Sequence, residues 1–265
     1  MLSRLTEGAE STFPTGDLHG RPAHSQAPDT ASHAGGSDDP ARNRLLGALP
    51  PLDRAALLLN GESVILRAGD VLVRPGAAID HAWFPEGAIV SFTFGGDHEV
   101  EAIGCDGMLG TPLLLGVGIA ERWGIVRVGG RALRLPAGAL REALAERPAV
   151  RALLERHLHA SLLQLARAVT CGREHLTVPR LATLLLWLRD QRGADDLALT
   201  HEQVARLLGV SRRASVTEGL RVLKANGLVG ARRGGLHVAD AVGLQAMACP
   251  CYHAARGQFD RALVA

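Results

Sequence analysis

Apolar positions keep several different rhythms along this 265-residue chain, and each change of rhythm marks a part. Residues 1–40 are rich in Ser, Gly, Pro, His and Asp with almost no clustered apolar side chains, so burial cannot offset the entropy of ordering them. They predict a disordered tail, or a translation start further along. In residues 42–60, Leu45, Leu46, Leu49, Leu52, Leu57 and Leu58 are interrupted by Pro50 and Pro51, which predicts two short helices instead of one. Residues 62–135 break into short β-type runs, VIL, VLV, AWF, AIVSFTF, VEAI, GIVRV and ALRL. Gly69, Gly76, Gly87 and the Gly95-Gly96 and Gly129-Gly130 pairs separate them. Many short strands with glycine turns predict a β-sandwich or small barrel.

From residue 138 the period becomes helical. Val150, Leu154, Leu158, Leu162, Leu165 and Val169 recur every three or four residues, the stripe of one long amphipathic helix. Such a stripe serves either a dimer seam or packing on the β-domain; the seam is preferred, because many helix-turn-helix proteins bind paired half-sites. Residues 177–192 predict a further helix, with Pro179 in its first turn and LATLLLWL as its buried side.

Residues 199–238, LTHEQVARLLGVSRRASVTEGLRVLKANGLVGARRGGLHV, read as a helix-turn-helix followed by a basic β-hairpin wing. Thr200 with Gln203 three residues on makes a capping box, and Val204, Leu207 and Leu208 share one face of the helix it starts. Ala205 is small where a second helix crosses, Gly209 supplies the positive φ that ends the first, and Val210 plugs the corner. Val216, Leu220 and Leu223 then define the inner face of the second helix. That leaves Arg212, Arg213, Ser215, Thr217, Glu218 and Arg221 at its exposed start or outer face.

Charge sharpens this picture. The whole chain carries only +2, yet residues 199–238 hold Arg206, Arg212, Arg213, Arg221, Lys224, Arg232 and Arg233 against Glu202 and Glu218, a local +5. A concentrated excess on a near-neutral protein is the footprint expected for a phosphate backbone. Arginine forks onto guanine, glutamate accepts from cytosine N4, and hydroxyls or Lys224 grip phosphates. Arg232 and Arg233, ahead of Gly234-Gly235, are placed at the wing tip to hold phosphate. The competing reading of the same stretch is a solvated helical face in a protein-docking module.

Composition adds little beyond this. Hydrophobic residues make up 47% and aromatics 3%, so the cores are expected to be Leu, Val and Ala. No run has the apolar length to span a bilayer and the first thirty residues lack a basic start with an apolar core, so a cytoplasmic protein without membrane association is expected. Cys105, Cys171, Cys249 and Cys251 are too few and too unevenly spaced for a disulfide framework, and reduced thiols are expected. Cys249-Pro250-Cys251 offers two thiolates, with His253 nearby, where a metal site usually needs four ligands; two small buried thiols are the preferred reading, and no metal or cofactor is assigned. His157 and His159 lie on different helix faces, and Arg173-Glu174-His175 reads as a polar connection between helices. No nucleophile elbow, phosphate loop or H-E-x-x-H pattern is present, so no catalysis is expected.

Arg67-Ala68-Gly69-Asp70, Gly76 and Phe84-Pro85-Glu86-Gly87 look like R-x-G-D and F-P-x-G turn signatures, and they precede LTHEQVARLLGVSRR in the same chain. In that order, from residue 42 or so to the C-terminus, the sequence resembles the Crp/Fnr family of transcription regulators. The resemblance implies an α+β protein with an N-terminal double-stranded β-helix (jelly-roll-like) sensor domain at 41–147, a long dimerisation helix at 148–172 and a C-terminal winged helix-turn-helix at 173–248. Residues 249–265 are left as a C-terminal extension.

It also implies a dimer reading a roughly palindromic operator on double-stranded DNA, with RNA polymerase and a small-molecule effector as further partners such a regulator admits. Matching Val216 to the family's buried valine puts Arg213, Ser215 and Glu218 in base-reading places. Cyclic-nucleotide-binding members carry a Gly-Glu pair on the ribose and a downstream arginine on the cyclic phosphate. Here Gly107-Met108-Leu109-Gly110 puts methionine where that glutamate belongs, and Arg122 stands where the arginine would, as a ligand candidate or a structural charge. Lost cyclic-nucleotide binding is the expectation. The iron–sulfur cluster of the oxygen-sensing branch is not expected, because no cysteine precedes Cys105.

Overall fold

A computed structural model describes residues 43–95, 99–210 and 213–264; the predicted tail at 1–40 and the candidate Arg212 lie outside the described residues. Asn43, the first described residue, is buried. Its side chain accepts from the Leu45 and Leu46 N–H groups and donates to the carbonyls of Pro85 and Gly107, at 2.9 Å each. One residue thus caps α1 (Arg44–Gly47) and ties it to the β-domain. Pro51 starts α2 (Pro51–Asn60), so the two prolines divide the leucine-rich stretch into two helices.

The seven predicted β-type runs are seven strands: β1 (Glu62–Leu66), β2 (Val71–Val73), β3 (His81–Pro85), β4 (Ile89–Thr93), β5 (Glu101–Ile103), β6 (Trp123–Val128) and β7 (Gly130–Pro136). They form two antiparallel sheets, β1-β7-β3 and β2-β6-β4-β5. Glycine is required at the crossing between them, because a Cβ on Gly130 would lie 2.5 Å from the Ala88 nitrogen and the Gly87 carbonyl carbon. Asp70 closes the turn of the R-x-G-D signature: its carboxylate accepts from the Arg67 N–H at 2.7 Å, and Gly69 takes φ +95°. Phe84, Val90, Val126 and Leu135 fill the interior, while Ile89 packs with the core of the C-terminal domain.

α3 (Ala137–Glu146) folds back on the β-domain, and Pro148 opens α4 (Pro148–Glu174), 27 residues long. Only its first half is covered by the β-domain: Val150, Leu153 and Leu154 are buried, whereas Leu162 and Val169 are each 58% exposed. α5 (Thr177–Arg192) has the bounds the sequence predicts and buries Leu181, Leu185, Leu186 and Leu188.

The end of α5 also ties the two halves of the molecule together. Buried Gln191 accepts from the Gly104 and Asp106 N–H groups through its side chain, and its carbonyl accepts from the Cys105 N–H at 2.8 Å. Beyond it come β8 (Asp196–Leu197), α6 (His201–Leu208), α7 (Arg213–Ala225), β9 (Val229–Arg232), β10 (Gly235–Val238) and α8 (Ala241–Met247). The C-terminal stretch is a helix, α9 (Cys251–Leu263), that lies along α4. There Phe259 packs on His157 and Trp187, and the Ala262 carbonyl accepts from Arg156. Among the described residues no helix is long and apolar enough to cross a membrane.

Candidate nucleic-acid interface

α6 starts on the capping box the sequence specifies: Thr200 Oγ1 accepts from the Gln203 N–H at 3.2 Å, and the Gln203 side chain accepts from the Thr200 N–H at 2.8 Å. Gly209 ends it at φ +68°. Val216, Leu220 and Leu223 turn α7 inward, and Gly219 lets it approach α5, since a Cβ there would lie 2.9 Å from a Leu181 methyl group. These buried contacts fix which face of α7 looks out.

The outward face carries Arg213, Thr217, Glu218 and Arg221, with Ser215 and Lys224 half-buried at its edges. Glu218 and Arg221 form a two-pronged ion pair, with N···O distances of 2.9 and 2.6 Å; hydrogen bonding to Arg221 holds the Glu218 carboxyl below its ordinary range. His201, which sequence reasoning passed over, stands at the first position of α6 with Nδ1 3.4 Å from Thr217 Oγ1. Burial, then the nearby Lys224 and Arg213 cations, lowers its pKa.

The wing is the hairpin β9–β10, joined by Arg233 and Gly234, with Gly234 at φ +79°, and extended by β8 on the far side of β10. Arg233 is exposed at the tip, whereas Arg232 turns back to an ion pair with Asp196, which also meets His237 Nδ1 at 2.8 Å. The described arginines of the predicted set differ in how free their charges are: Arg213 and Arg233 are exposed, whereas Arg221 and Arg232 are held in ion pairs.

In the β-domain, a cavity of about 430 Å³ opens between the β-sheet and α4, lined in part by Phe92, Leu162 and Leu165. Arg122 lines it too, but its guanidinium is occupied: it meets Glu101 at 2.9 Å and stacks on the Phe92 ring at 4.1 Å. Burial raises the Glu101 pKa while Arg122 opposes the rise. Met108 is fully buried in the core, with no polar atom to offer a ligand. Leu113 is buried as well, while Leu115 lines the cavity mouth and is 67% exposed.

Residues 179–247 match the Crp-like helix-turn-helix domain. The chain carries a Crp-like helix-turn-helix domain on a Crp/Fnr fold. The c-di-GMP responsive global regulator CLP of Xanthomonas campestris superposes with a TM-score of 0.56 at 18% identity, covering 71% of this chain and 99% of that one. A Crp/Fnr-family transcriptional regulator from Eubacterium rectale gives 0.56 at 16%, over 77% and 96% of the two chains. FixK2 from Bradyrhizobium japonicum gives 0.56 at 13%, over 71% and 98%. No curated protein sequence matches the chain. The Crp/Fnr fold thus accounts for both halves of the molecule, the β-roll and the winged helix.

Proposed function

We propose that this protein is a homodimeric, sequence-specific transcription regulator whose α7 enters the major groove of a palindromic operator. The observation that carries the reading is the outward face of α7, where Arg213, Ser215, Thr217, Glu218 and Arg221 stand clear of the core beside a wing tipped by Arg233. These are base-reading and phosphate-holding side chains on the element that the fold presents to DNA. Arg212 belongs to the same set by its place in the sequence, and Lys224 and Arg232 are assigned to phosphate.

The exposed Leu162 and Val169 on the second half of α4 form the dimer seam. Two copies joined there would present paired α7 helices about one helical turn of DNA apart. The β-roll no longer binds cyclic nucleotides, because Arg122 is committed to Glu101 and buried Met108 replaces the ribose acceptor that the resemblance requires.

Fluorescence anisotropy of the purified protein on sheared genomic DNA tests the reading. The expected outcome is log K falling linearly with log salt, at a slope that reflects several neutralised phosphates. Weak, salt-insensitive association would instead assign the helix-turn-helix to protein docking.

A further inference from the structure

Four side chains far apart in sequence converge where α4 ends. Cys171 lies near the end of α4 and His175 directly follows it, while Cys249 and Cys251 flank Pro250 at the start of α9. Their sulfur and ring-nitrogen atoms all lie within 4.8 Å of one another. Cys171 Sγ is 3.6 Å from Cys249 Sγ, and Cys251 Sγ is 3.6 Å from His175 Nδ1. A tetrahedral zinc ion with Zn–S bonds of about 2.3 Å and a Zn–N bond of about 2.0 Å has S···S edges of about 3.8 Å and S···N edges of about 3.5 Å. The two separations lie close to those edges, whereas a disulfide would need the sulfurs at about 2.05 Å.

The surroundings suit thiolates. Thr183 Oγ1 accepts from the Cys249 N–H at 3.1 Å, which leaves its single proton free for Cys249 Sγ, also 3.1 Å away. Cys251 is the first residue of the 13-residue α9, so the positive end of that helix faces the cluster. The cations Arg167 and Arg180 line the same crevice as Cys171 and Cys251, and offset the net negative charge that three thiolates and one neutral imidazole leave on a bound Zn²⁺. Cys105 makes the contrast: it is buried elsewhere, with its sulfur 3.2 Å from the Asp190 carbonyl oxygen.

We infer that Cys171, His175, Cys249 and Cys251 form a structural zinc site that clamps the break between α4 and α5 to the start of α9. All four positions are filled by the protein, the closed arrangement of a structural site. Binding displaces three thiol protons to solvent and leaves the imidazole neutral. Because α4 carries the exposed apolar face and α5 underlies the helix-turn-helix, the ion sets the angle between them. The C-x-C pair alone supplies two ligands and reads as ordinary thiols; the fold adds Cys171 and His175, and not the neighbouring His253, whose ring instead lies against Tyr252.

The test uses the full chain, purified under reductant without chelator. Zinc content is measured by plasma mass spectrometry, and Co²⁺ titration of the metal-free protein by absorption. The expected result is about one zinc per chain and a thiolate-to-cobalt charge-transfer band. Cys251→Ser and His175→Ala, both at partly exposed positions, each weaken Co²⁺ binding at least tenfold while circular dichroism stays unchanged. Cys105→Ser and His253→Ala bind as the parent does. An unaltered chain that takes up neither zinc nor cobalt overturns the site, as does Cys251→Ser retaining both. A Cys171–Cys249 disulfide that persists under reductant and blocks cobalt uptake overturns it too.

Discussion

Arg213 at the start of α7 and Arg233 at the wing tip are both exposed, and the proposed roles of the two differ. Arg213→Ala should cost about 1–3 kcal/mol on the correct operator and relax the preference at one base position. Arg233→Ala should weaken operator and random DNA alike and lower the salt slope by about 1. Anisotropy titrations on matched and scrambled sites separate the two, and equal losses on both sites for Arg213→Ala would remove it from base reading.

Buried His157 carries a pH prediction: burial lowers its pKa from 6.5 to about 4. The unfolded chain therefore binds a proton between those values that the native chain refuses, so this residue's contribution is intact above pH 6.5 and is lost as the pH falls toward 4, by about 3 kcal/mol in all. Glu99, Glu101 and Asp106, whose pKa values burial raises, act with the opposite sign. The readout is thus the difference between the parent chain and His157→Gln in urea denaturation at pH 8 and pH 5. The gap between them should shift in favour of the variant at the lower pH. Single residues were legible in the sequence where their work is local: Asp70 and Thr200 bond within three residues. For Arg122 a structural charge was one of the readings, but its partner was not legible, because Glu101 lies on β5, away from it in sequence.

Helix and strand positions came through well, because periodicity and punctuation are properties of consecutive residues. The Pro50-Pro51 break, the α5 bounds and the Gly209 stop are all visible in the chain itself. What periodicity could not divide is the α4 stripe, a single apolar row that serves two surfaces. Its first half is buried on the β-domain, while Leu162, at the edge of the β-domain cavity, and Val169 are each more than half exposed. Leu162→Glu combined with Val169→Glu should convert the dimer to monomer at micromolar concentration in sedimentation velocity, and should weaken binding to a full operator far more than to a half-site. A double variant that remains dimeric would place the seam elsewhere. At the start of α6, Thr200→Ala removes the capping box and should cost about 1 kcal/mol in urea denaturation.

Over the whole molecule, the order of parts was readable but the contacts between them were not. Gln191 reaches back to the Gly104–Asp106 loop, α9 returns along α4, and Arg44 bridges Asp106 and Asp260, so residues distant in sequence hold the β-roll and the winged helix together. No local pattern announces such pairings, and the same blindness hid the convergence of Cys171 and His175 with Cys249 and Cys251.

Two copies of this chain, joined through α4, are proposed to read a symmetric operator with paired α7 helices. The most direct test is a binding selection on genome fragments with the purified protein at near-physiological salt, followed by sequencing of the retained DNA. The account predicts enrichment of a two-fold symmetric motif with half-sites about one helical turn apart, abolished by the Leu162→Glu/Val169→Glu variant. Failure to enrich any motif, with cell extract present or absent, would contradict it.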